Sequence, residues 1–284
     1  MKSLLVLYTQ GMHKFPESII KEYKAMGGIG SSMQWPLLFP LSSSKLLISG
    51  YDMVHPRFGA KGDADYLLDH LKYVESKEME IINDPESNIL SSNKFKGVIL
   101  ASTVMDVPKT MLYNPEFHDD LEKILENFTG HTFVKPVYSS MGRDITLALD
   151  QEKLKNLLTN AKSSMVVQEA VKFKRLIRVI YIDGYMRAYY ELPSYGSHSQ
   201  FHNYYAKVCM NSNSRPFKID DELKKHAELL ADKFKAKLMV ADIFQTENGY
   251  IFNEINTACN LNYYNEIEGI NFAAKMAEFF LKNN

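Results

Sequence analysis

Two apolar segments near the C-terminal end of the chain constrain the fold more than any other feature. Positions 237–246 and 250–255 are rich in β-branched and aromatic residues, and Asn248-Gly249 lies between them. An Asn-Gly pair between two such segments is a strong signal for a β-hairpin. Asp183-Gly184 is a second hairpin signal, of the type I′ kind, between two further apolar segments. The sequence therefore predicts that the last third of the chain forms an antiparallel sheet.

Two carboxylates and one amide oxygen are predicted to meet on one face of the last hairpin. Successive side chains of a strand point to opposite faces, so Glu254 and Asn256 share a face. A turn centred near Asn248 places Asp242 across from them on the partner strand. Such hard oxygen ligands suit Mg²⁺, which completes its shell with water and phosphate. This interpretation competes with a half-exposed hairpin whose polar side chains simply face water.

Alternating strand and helix patterns divide the chain into three predicted lobes. The pattern over 1–85 indicates a small parallel α/β lobe, with a helix at 63–77 and a loop or irregular edge at 31–44. A second lobe is predicted over 86–167 and a third, containing the antiparallel sheet, over 168–284. The predicted fold class is α/β, with α+β lobes.

The composition excludes several classes of protein. The 284 residues are enough for a large apolar core, and 33 Lys and Arg nearly balance 34 Asp and Glu. Such a balance predicts binding neither to nucleic acid nor to a membrane surface. Cys209 and Cys259 stand in different contexts, and no apolar run reaches the roughly 18 residues of a membrane span. We expect a cytoplasmic protein without a disulfide framework.

A series of short motifs follows in the order found in one known family. They are Val54-His55-Pro56-Arg57, Ser92-Asn93-Lys94-Phe95, Val134-Lys135-Pro136, Ser139-Ser140-Met141-Gly142-Arg143, Val167-Gln168-Glu169-Ala170-Val171, Ile177-Arg178-Val179, Glu254-Ile255-Asn256 and Ile267-Glu268-Gly269-Ile270-Asn271. With them the chain resembles the ATP-grasp superfamily, most closely its branch of RimK-type ribosomal-protein glutamate ligases and glutathione synthetases. The resemblance implies an ATP-grasp fold with an N-terminal pre-ATP-grasp α/β lobe, a small central lid lobe and a C-terminal antiparallel-sheet lobe.

The resemblance also implies an activity, that of an ADP-forming carboxylate–amine ligase. In such a reaction a carboxylate takes the γ-phosphate of ATP to give an acyl-phosphate, and an amine then displaces phosphate to leave an amide. The implied cofactors are ATP and Mg²⁺, with Mn²⁺ as an alternative metal. The implied partners are a carboxylate substrate and an amine acceptor, in the form of an amino acid, a peptide or a protein terminus. The resemblance does not decide whether the protein forms a homo-oligomer.

The same resemblance assigns roles to individual residues. The cofactor-binding residues are Lys94, Lys135, Ser140, Gly142, Gln168, Glu169, Ala170, Val171 and Asn203. The metal ligands are Asp242, Glu254 and Asn256, and the catalytic residues are Arg178, at the γ-phosphate, and Lys135. Lys96 is an alternative to Lys94 for contact with the phosphates.

Some positions depart from the family pattern. The phosphate-covering loop keeps only Gly142 where relatives carry more glycine, and Leu176 stands where they carry an acidic residue. After Asn203 the family's basic residue and two glycines are replaced by Tyr204-Tyr205-Ala206-Lys207-Val208. We therefore do not predict that this chain shares the specificity of the glutamate ligases for glutamate.

Two alternatives follow from these departures. One is a ligase for a small non-peptide carboxylate, within the same fold. The other is an ATP-binding module that no longer catalyses, which the missing glycines favour and the three retained metal ligands disfavour.

Overall fold

The computed structural model of the chain describes residues 2–9, 13–35, 48, 50–58, 72, 79–117, 120–139, 144–192 and 214–283. The helix predicted at 63–77, except for one residue, and most of the loop predicted at 31–44 lie outside these ranges. Within the described ranges, every helix is too short or too polar to span a lipid bilayer.

The N-terminal residues form a parallel sheet. Its elements are strand β1 (Ser3–Tyr8), helix α1 (Lys14–Ala25) and strands β2 (Ile29–Gln34), β3 (Met53–Arg57) and β4 (Glu80–Ile81). The strand order is β2-β1-β3-β4, and the neighbouring strands are parallel. The inner strand β1 is buried over four consecutive residues, as expected for a parallel strand that is covered on both faces. The parallel α/β arrangement predicted for this part of the chain is present.

One edge of this sheet differs from the prediction. The segment 31–34 was expected to be loop or irregular structure, but it is the second half of β2 and pairs with β1. An edge strand is ordered by backbone hydrogen bonds to one neighbour, so β2 needs no alternating apolar pattern, and the sequence shows none. Gly30 allows the close pairing, since a Cβ there would lie 2.7 Å from the carbonyl oxygen of Leu4.

Two helices and a second sheet follow. Helices α2 (Pro85–Ser92) and α3 (Lys94–Ala101) precede strands β5 (Thr110–Tyr113), β6 (Thr132–Pro136), β7 (Thr146–Ala148) and β8 (Met165–Glu169). These strands form a sheet in the order β5-β8-β6-β7. Helices α4 (Asp120–Asn127) and α5 (Gln151–Thr159) cover it, and Ile124 and Leu154 pack against Val134 and Val167 of the sheet.

A third, antiparallel sheet completes the fold. Strands β9 (Arg175–Ile182), β10 (Tyr185–Glu191), β11 (Arg215–Phe217), β12 (Leu238–Gln245) and β13 (Tyr250–Asn256) have the order β11-β10-β9-β12-β13. Helices α6 (Asp221–Lys233), α7 (Asn262–Glu268) and α8 (Phe272–Lys282) belong to the same part of the chain. Both predicted hairpins are present, and φ is 44° at Asp183 and 88° at Gly184, as a type I′ turn requires.

The first and third sheets share one hydrophobic core. It contains Leu4, Val6, Phe15, Ile19, Ile180, Val240, Phe272 and Phe280. Helices α2 and α3 also pack on the third sheet, where Val98 and Ala101 contribute to its second core. The lobe boundaries at 85/86 and 167/168 remain predictions, with the second sheet lying between them.

The side chain of Asn83 links the N-terminal residues to the third sheet by hydrogen bonds. Asn83 follows β4 and is 2% exposed. Its Nδ2 donates to the carbonyl oxygen of Leu238 at 2.6 Å, and its Oδ1 accepts from the N–H of Leu238 at 2.8 Å. The side chain thus makes both hydrogen bonds that a neighbouring strand would make to the first residue of β12.

We expect Asn83→Ala to lower the free energy of unfolding by about 2–4 kcal/mol, because it leaves a buried N–H and a buried C=O without partners. Urea denaturation of the purified protein measures the change. Asn160→Ala, at the exposed end of α5, is the control and should cost less than about 1 kcal/mol. Equal stability of the Asn83 variant and the wild type would contradict the assigned role.

Candidate active site

Four side chains lie in a row across the third sheet. Tyr189 of β10 is opposite Arg178 of β9. Arg178 is opposite Asp242 of β12, which in turn is opposite Glu254 of β13. Directly opposed residues of a sheet point to the same face, so all four side chains share one face. The predicted pairing of Asp242 with Glu254 is present, and Arg178 lies on the other side of Asp242.

Arg178 and Asp242 form a bidentate ion pair. Arg178 Nε donates to Asp242 Oδ1 at 2.7 Å, and Nη2 donates to Oδ2 at 2.6 Å. Asp242 is 1% exposed. Burial raises the pKa of Asp242 above that of an ordinary carboxyl, against the opposing effect of Arg178. Burial also acts to lower the pKa of Arg178, but the attraction of Asp242 outweighs it and the pKa is raised. The pair holds Arg178 as a fixed cation in the row.

Glu254 is paired with a lysine that a helix cap holds in place. The side chain of Asn93 accepts from the N–H of Lys96 and so begins α3 at Lys94. Lys94 Nζ donates to Glu254 Oε2 at 3.2 Å and to the carbonyl oxygen of Ser139 at 2.9 Å. Burial alone would raise the pKa of Glu254, but nearby cations, chiefly Lys94, lower it to about 2. Glu254 is therefore a carboxylate at neutral pH, and Lys94, rather than Lys96, is the lysine that reaches it.

The second sheet supplies another lysine from the opposite side. Lys135 of β6 donates to Gln168 Oε1 of β8 at 2.6 Å, and Gln168 Nε2 donates to Thr110 Oγ1 at 3.0 Å. Burial lowers the pKa of Lys135 to about 8, repulsion from Lys94 adds to the effect, and Glu254 opposes it. Lys135 thus lies within electrostatic range of the row on the third sheet. Three cations and two carboxylates converge between the two sheets.

The segment that links the two sheets carries an apolar cluster. The N–H groups of Glu169 and Ala170 already donate to the carbonyl oxygens of Lys109 and His131. Just beyond, the rings of Phe173 and Phe244 stack with their centroids 4.7 Å apart. Leu176, Val171 and Ile251 complete the cluster. Phe173, Leu176 and Phe244 are buried, and Glu169, a few residues earlier in the chain, is exposed.

Three predicted site residues lie outside the described ranges: Ser140, Gly142 and Asn203. Ser139, next to the first of them, is buried, and its Oγ has no hydrogen-bond partner among the described residues. The carbonyl group of Ser139 connects the start of this loop to Lys94.

Two residues of the site have no counterpart in the sequence-based assignment. The hydroxyl of Tyr264 accepts from Arg178 Nη1 at 3.3 Å. Glu191 of β10 is buried and accepts from Ser214 Oγ at 2.7 Å. Burial raises the pKa of Glu191, while Ser214 and Arg178 oppose the shift. Neither residue lies in a recognisable motif, so no local signal marks them.

The predicted metal ligands form a donor set of two carboxylates and one amide. Asn256 Nδ2 donates to Glu254 Oε1 at 3.3 Å, which leaves the amide oxygen for another partner. Both oxygens of Asp242 accept from Arg178, and each carboxylate oxygen has a second lone pair. No set of three His, Cys, Asp or Glu side chains suited to a metal exists among the described residues. Two carboxylates and one amide oxygen are hard donors of the kind that suit Mg²⁺, which takes few protein ligands and completes its shell with water and phosphate.

Comparison with known proteins identifies the family. Residues 91–280 match the RimK-like ATP-grasp domain, which is more than half of the chain. The chain is 27% identical over 260 residues to the coenzyme gamma-F420-2:alpha-L-glutamate ligase of Methanococcus maripaludis, and the match covers 85% of this chain and 88% of that protein. It is 28% identical over 195 residues to the alpha-aminoadipate–LysW ligase LysX of Sulfurisphaera tokodaii, covering 64% and 65% of the two chains.

A solved structure shows the same fold. The ATP-grasp ligase PsnB, in complex with a phosphomimetic variant of its minimal precursor, Mg and ADP, superposes with a TM-score of 0.68 at 14% identity. The superposition covers 99% of this chain and 98% of PsnB. The predicted ATP-grasp fold is confirmed. This chain belongs to the RimK-like ATP-grasp family and is an ATP-dependent ligase that forms amide bonds.

Proposed function

We propose that the charged cluster between the second and third sheets is the site where ATP activates a substrate carboxylate for transfer to the amine of an amino acid or peptide. The observation that carries the proposal is the excess of positive charge. Among the described residues, Lys94 pairs with Glu254 and Arg178 pairs with Asp242, whereas Lys135 adds a third cation whose hydrogen bond goes to the neutral amide of Gln168. A polyanion such as a triphosphate balances this excess.

In the first step the residues hold the phosphates in line with the carboxylate. Lys94 and Lys135 supply point charges to the phosphate oxygens from opposite sides, and catalysis of phosphoryl transfer rests mainly on such positioning and charge stabilisation. Magnesium on Asp242, Glu254 and Asn256 would neutralise the charge that develops on the transferred phosphoryl group. The substrate carboxylate takes the γ-phosphoryl group, which gives an acyl-phosphate and ADP.

In the second step the amine attacks the acyl-phosphate. The attack forms a tetrahedral intermediate, which expels phosphate while the amine nitrogen loses a proton. Arg178 is held by Asp242 and Tyr264, so its guanidinium is preorganised beside the developing negative charge. The site must exclude water, because water would hydrolyse the acyl-phosphate.

The substrate class rests on the relatives. One is named for joining L-glutamate to coenzyme γ-F420-2, the other for joining alpha-aminoadipate to LysW, and PsnB was solved with a precursor. These substrates are amino acids, peptides or molecules that carry them. A small non-peptide carboxylate is the alternative for this chain. Cytoplasmic localisation, self-association and the use of Mn²⁺ in place of Mg²⁺ remain predictions.

The direct test is ADP release from MgATP by the purified protein, with and without pools of amino acids, dipeptides and small peptides. We expect at least one pool to stimulate release, and mass spectrometry should find a condensed product with the mass of an amide. ADP release without such a product, in every pool, would contradict the proposal.

We expect Glu254→Gln to reduce MgATP-dependent turnover by at least about a hundredfold, because it removes one charge from the proposed metal ligands. Circular dichroism should show an unchanged fold, since Lys94 keeps its bond to Ser139. Glu247→Gln is the matched control on the same hairpin, where the side chain is 84% exposed and pairs only weakly with Lys174. Turnover that survives in the Glu254 variant would show the metal assignment to be wrong.

Lys135→Ala should weaken nucleotide binding by about ten- to a hundredfold, the value of one charge-assisted hydrogen bond. Isothermal titration calorimetry with a non-hydrolysable ATP analogue and Mg²⁺ measures the change. Lys155→Ala removes an exposed lysine of α5 and serves as the control. Affinity that is unaltered in the Lys135 variant would place the phosphates elsewhere.

A further inference from the structure

A second buried arginine lies near the site and is not used by the proposed mechanism. Arg57 is the last residue of β3 and is only 3% exposed. Its Nη2 donates to the carbonyl oxygen of Cys259, and its guanidinium lies over the ring of Phe15, 4.7 Å from the centroid. Its Nε has no hydrogen-bond partner among the residues that the structure describes. Within the described part of the chain, no carboxylate forms an ion pair with it.

A neutral histidine holds this arginine in position. His55 is fully buried, and its Nδ1 contacts the carbonyl oxygen of Ile82. That contact makes Nδ1 the donor and leaves Nε2 as an acceptor, which lies 3.4 Å from Arg57 Nη1. Burial and the charge of Arg57 lower the pKa of His55 to about 3, so the ring is uncharged at neutral pH. The histidine therefore orients the guanidinium without neutralising it.

A buried cation without a counterion is energetically costly. Burial lowers the pKa of Arg57 to about 10, which still leaves it protonated at neutral pH. Hydrogen bonds to one carbonyl group and one imidazole satisfy some donors but supply no negative charge. A planar guanidinium with a free Nε is suited to a carboxylate, which it binds through two parallel hydrogen bonds.

Arg57 lies beside the end of strand β13. Arg57 lines a cavity of about 20 Å³ together with Asn256, Thr257 and Cys259. This volume holds one or two water-sized groups, and thus the end of a carboxylate rather than a whole substrate. Arg57 contacts the carbonyl oxygen of Cys259, and Arg178 contacts the hydroxyl of Tyr264, in the same short segment after β13. A molecule that reacts beside Arg178 can therefore extend a second polar group towards Arg57.

We propose that Arg57 is an anion subsite that binds a non-reacting carboxylate of the amino-acid or peptide substrate. The inference rests on the proposed function, because it assumes a substrate with a carboxylate besides the one that is activated. The subsite sets specificity, since a substrate that lacks this carboxylate leaves the guanidinium buried without a charge partner. Arg57 belongs to the N-terminal lobe. In this proposal that lobe binds the non-reacting carboxylate of the substrate, while the other two lobes hold the nucleotide.

The competing explanation is purely structural. Arg57 would then only clamp the chain at Cys259 onto β3, and a single water in the cavity would satisfy Nε. A structural clamp changes stability when it is removed, but it does not distinguish a carboxylate from a carboxamide.

The first test compares acids with amides. ADP release from MgATP is measured with a pool of the twenty amino acids and with the matched pool of their α-carboxamides, which keep the amine and lose the charge. We expect the wild type to prefer the acids, and Arg57→Gln to reduce that preference about ten- to a hundredfold. Arg57→Lys should keep part of it. An acid-to-amide ratio that is the same in the wild type and in Arg57→Gln would overturn the proposal.

The second test does not depend on turnover, so it separates a failure of the subsite from a failure of the proposed function. Calorimetry measures the binding of glutarate, a dicarboxylate without an amine, and of its diamide glutaramide. We expect glutarate alone to bind the wild type, and Arg57→Gln to lose at least about ninety per cent of the affinity. Arg187→Gln, which removes an exposed arginine of β10, is the charge-matched control. Glutarate that does not bind the wild type, or binds both proteins equally, would overturn the subsite.

Discussion

The buried ion pair between Arg178 and Asp242 is the interaction on which the rest of the site depends. Two charges at the centre of a sheet are tolerated because each satisfies the other in a bidentate geometry. Removing one partner of such a pair typically costs about 3–5 kcal/mol, because the other charge stays buried. The pair also sets the position of Glu254 relative to Arg178, since Asp242 lies between these two residues in the sheet. Both the position and the charge of the cluster thus follow from one cross-strand contact.

Each of the three sheets makes a different contribution to the proposed site. The third sheet holds the row of charged residues, and the second brings Lys135 and its partner Gln168 from the other side. The first sheet shares its core with the third and is tied to it by Asn83. The first and third sheets therefore form one packed unit, while the second sheet has a core of its own. This separation suits a site that must admit a nucleotide and then exclude water.

The sequence predicts those parts of the structure that depend on local patterns. Alternation and the Asn248-Gly249 turn are sufficient to place Asp242 opposite Glu254, and Asp183-Gly184 gives the other hairpin. Contacts between distant segments are not predictable in this way. The pairing of β9 with β12 joins Arg178 to Asp242 across 64 positions, and Tyr264 reaches Arg178 across 86.

Edge strands and the packing between lobes also cannot be predicted from local sequence patterns. Strand β2 has no alternating apolar pattern from which a strand could be predicted. Its pairing with β1 is made by backbone hydrogen bonds. Helix α3 contains a motif assigned to the central lobe, yet its apolar residues pack on the third sheet. Only the three-dimensional arrangement shows which neighbour a short amphipathic segment covers.

The helix cap at Asn93 has one more consequence. It fixes Lys94 to the body that carries the third sheet, whereas Lys135 belongs to the second sheet. Burial is the main cause of the lowered pKa of Lys135, and repulsion from the ammonium group of Lys94 adds to it. Glu254 lies between the two lysines in charge terms, since it pairs with Lys94 and attracts Lys135. In the proposed function, the phosphates of the nucleotide would add further negative charge where the two parts of the chain meet.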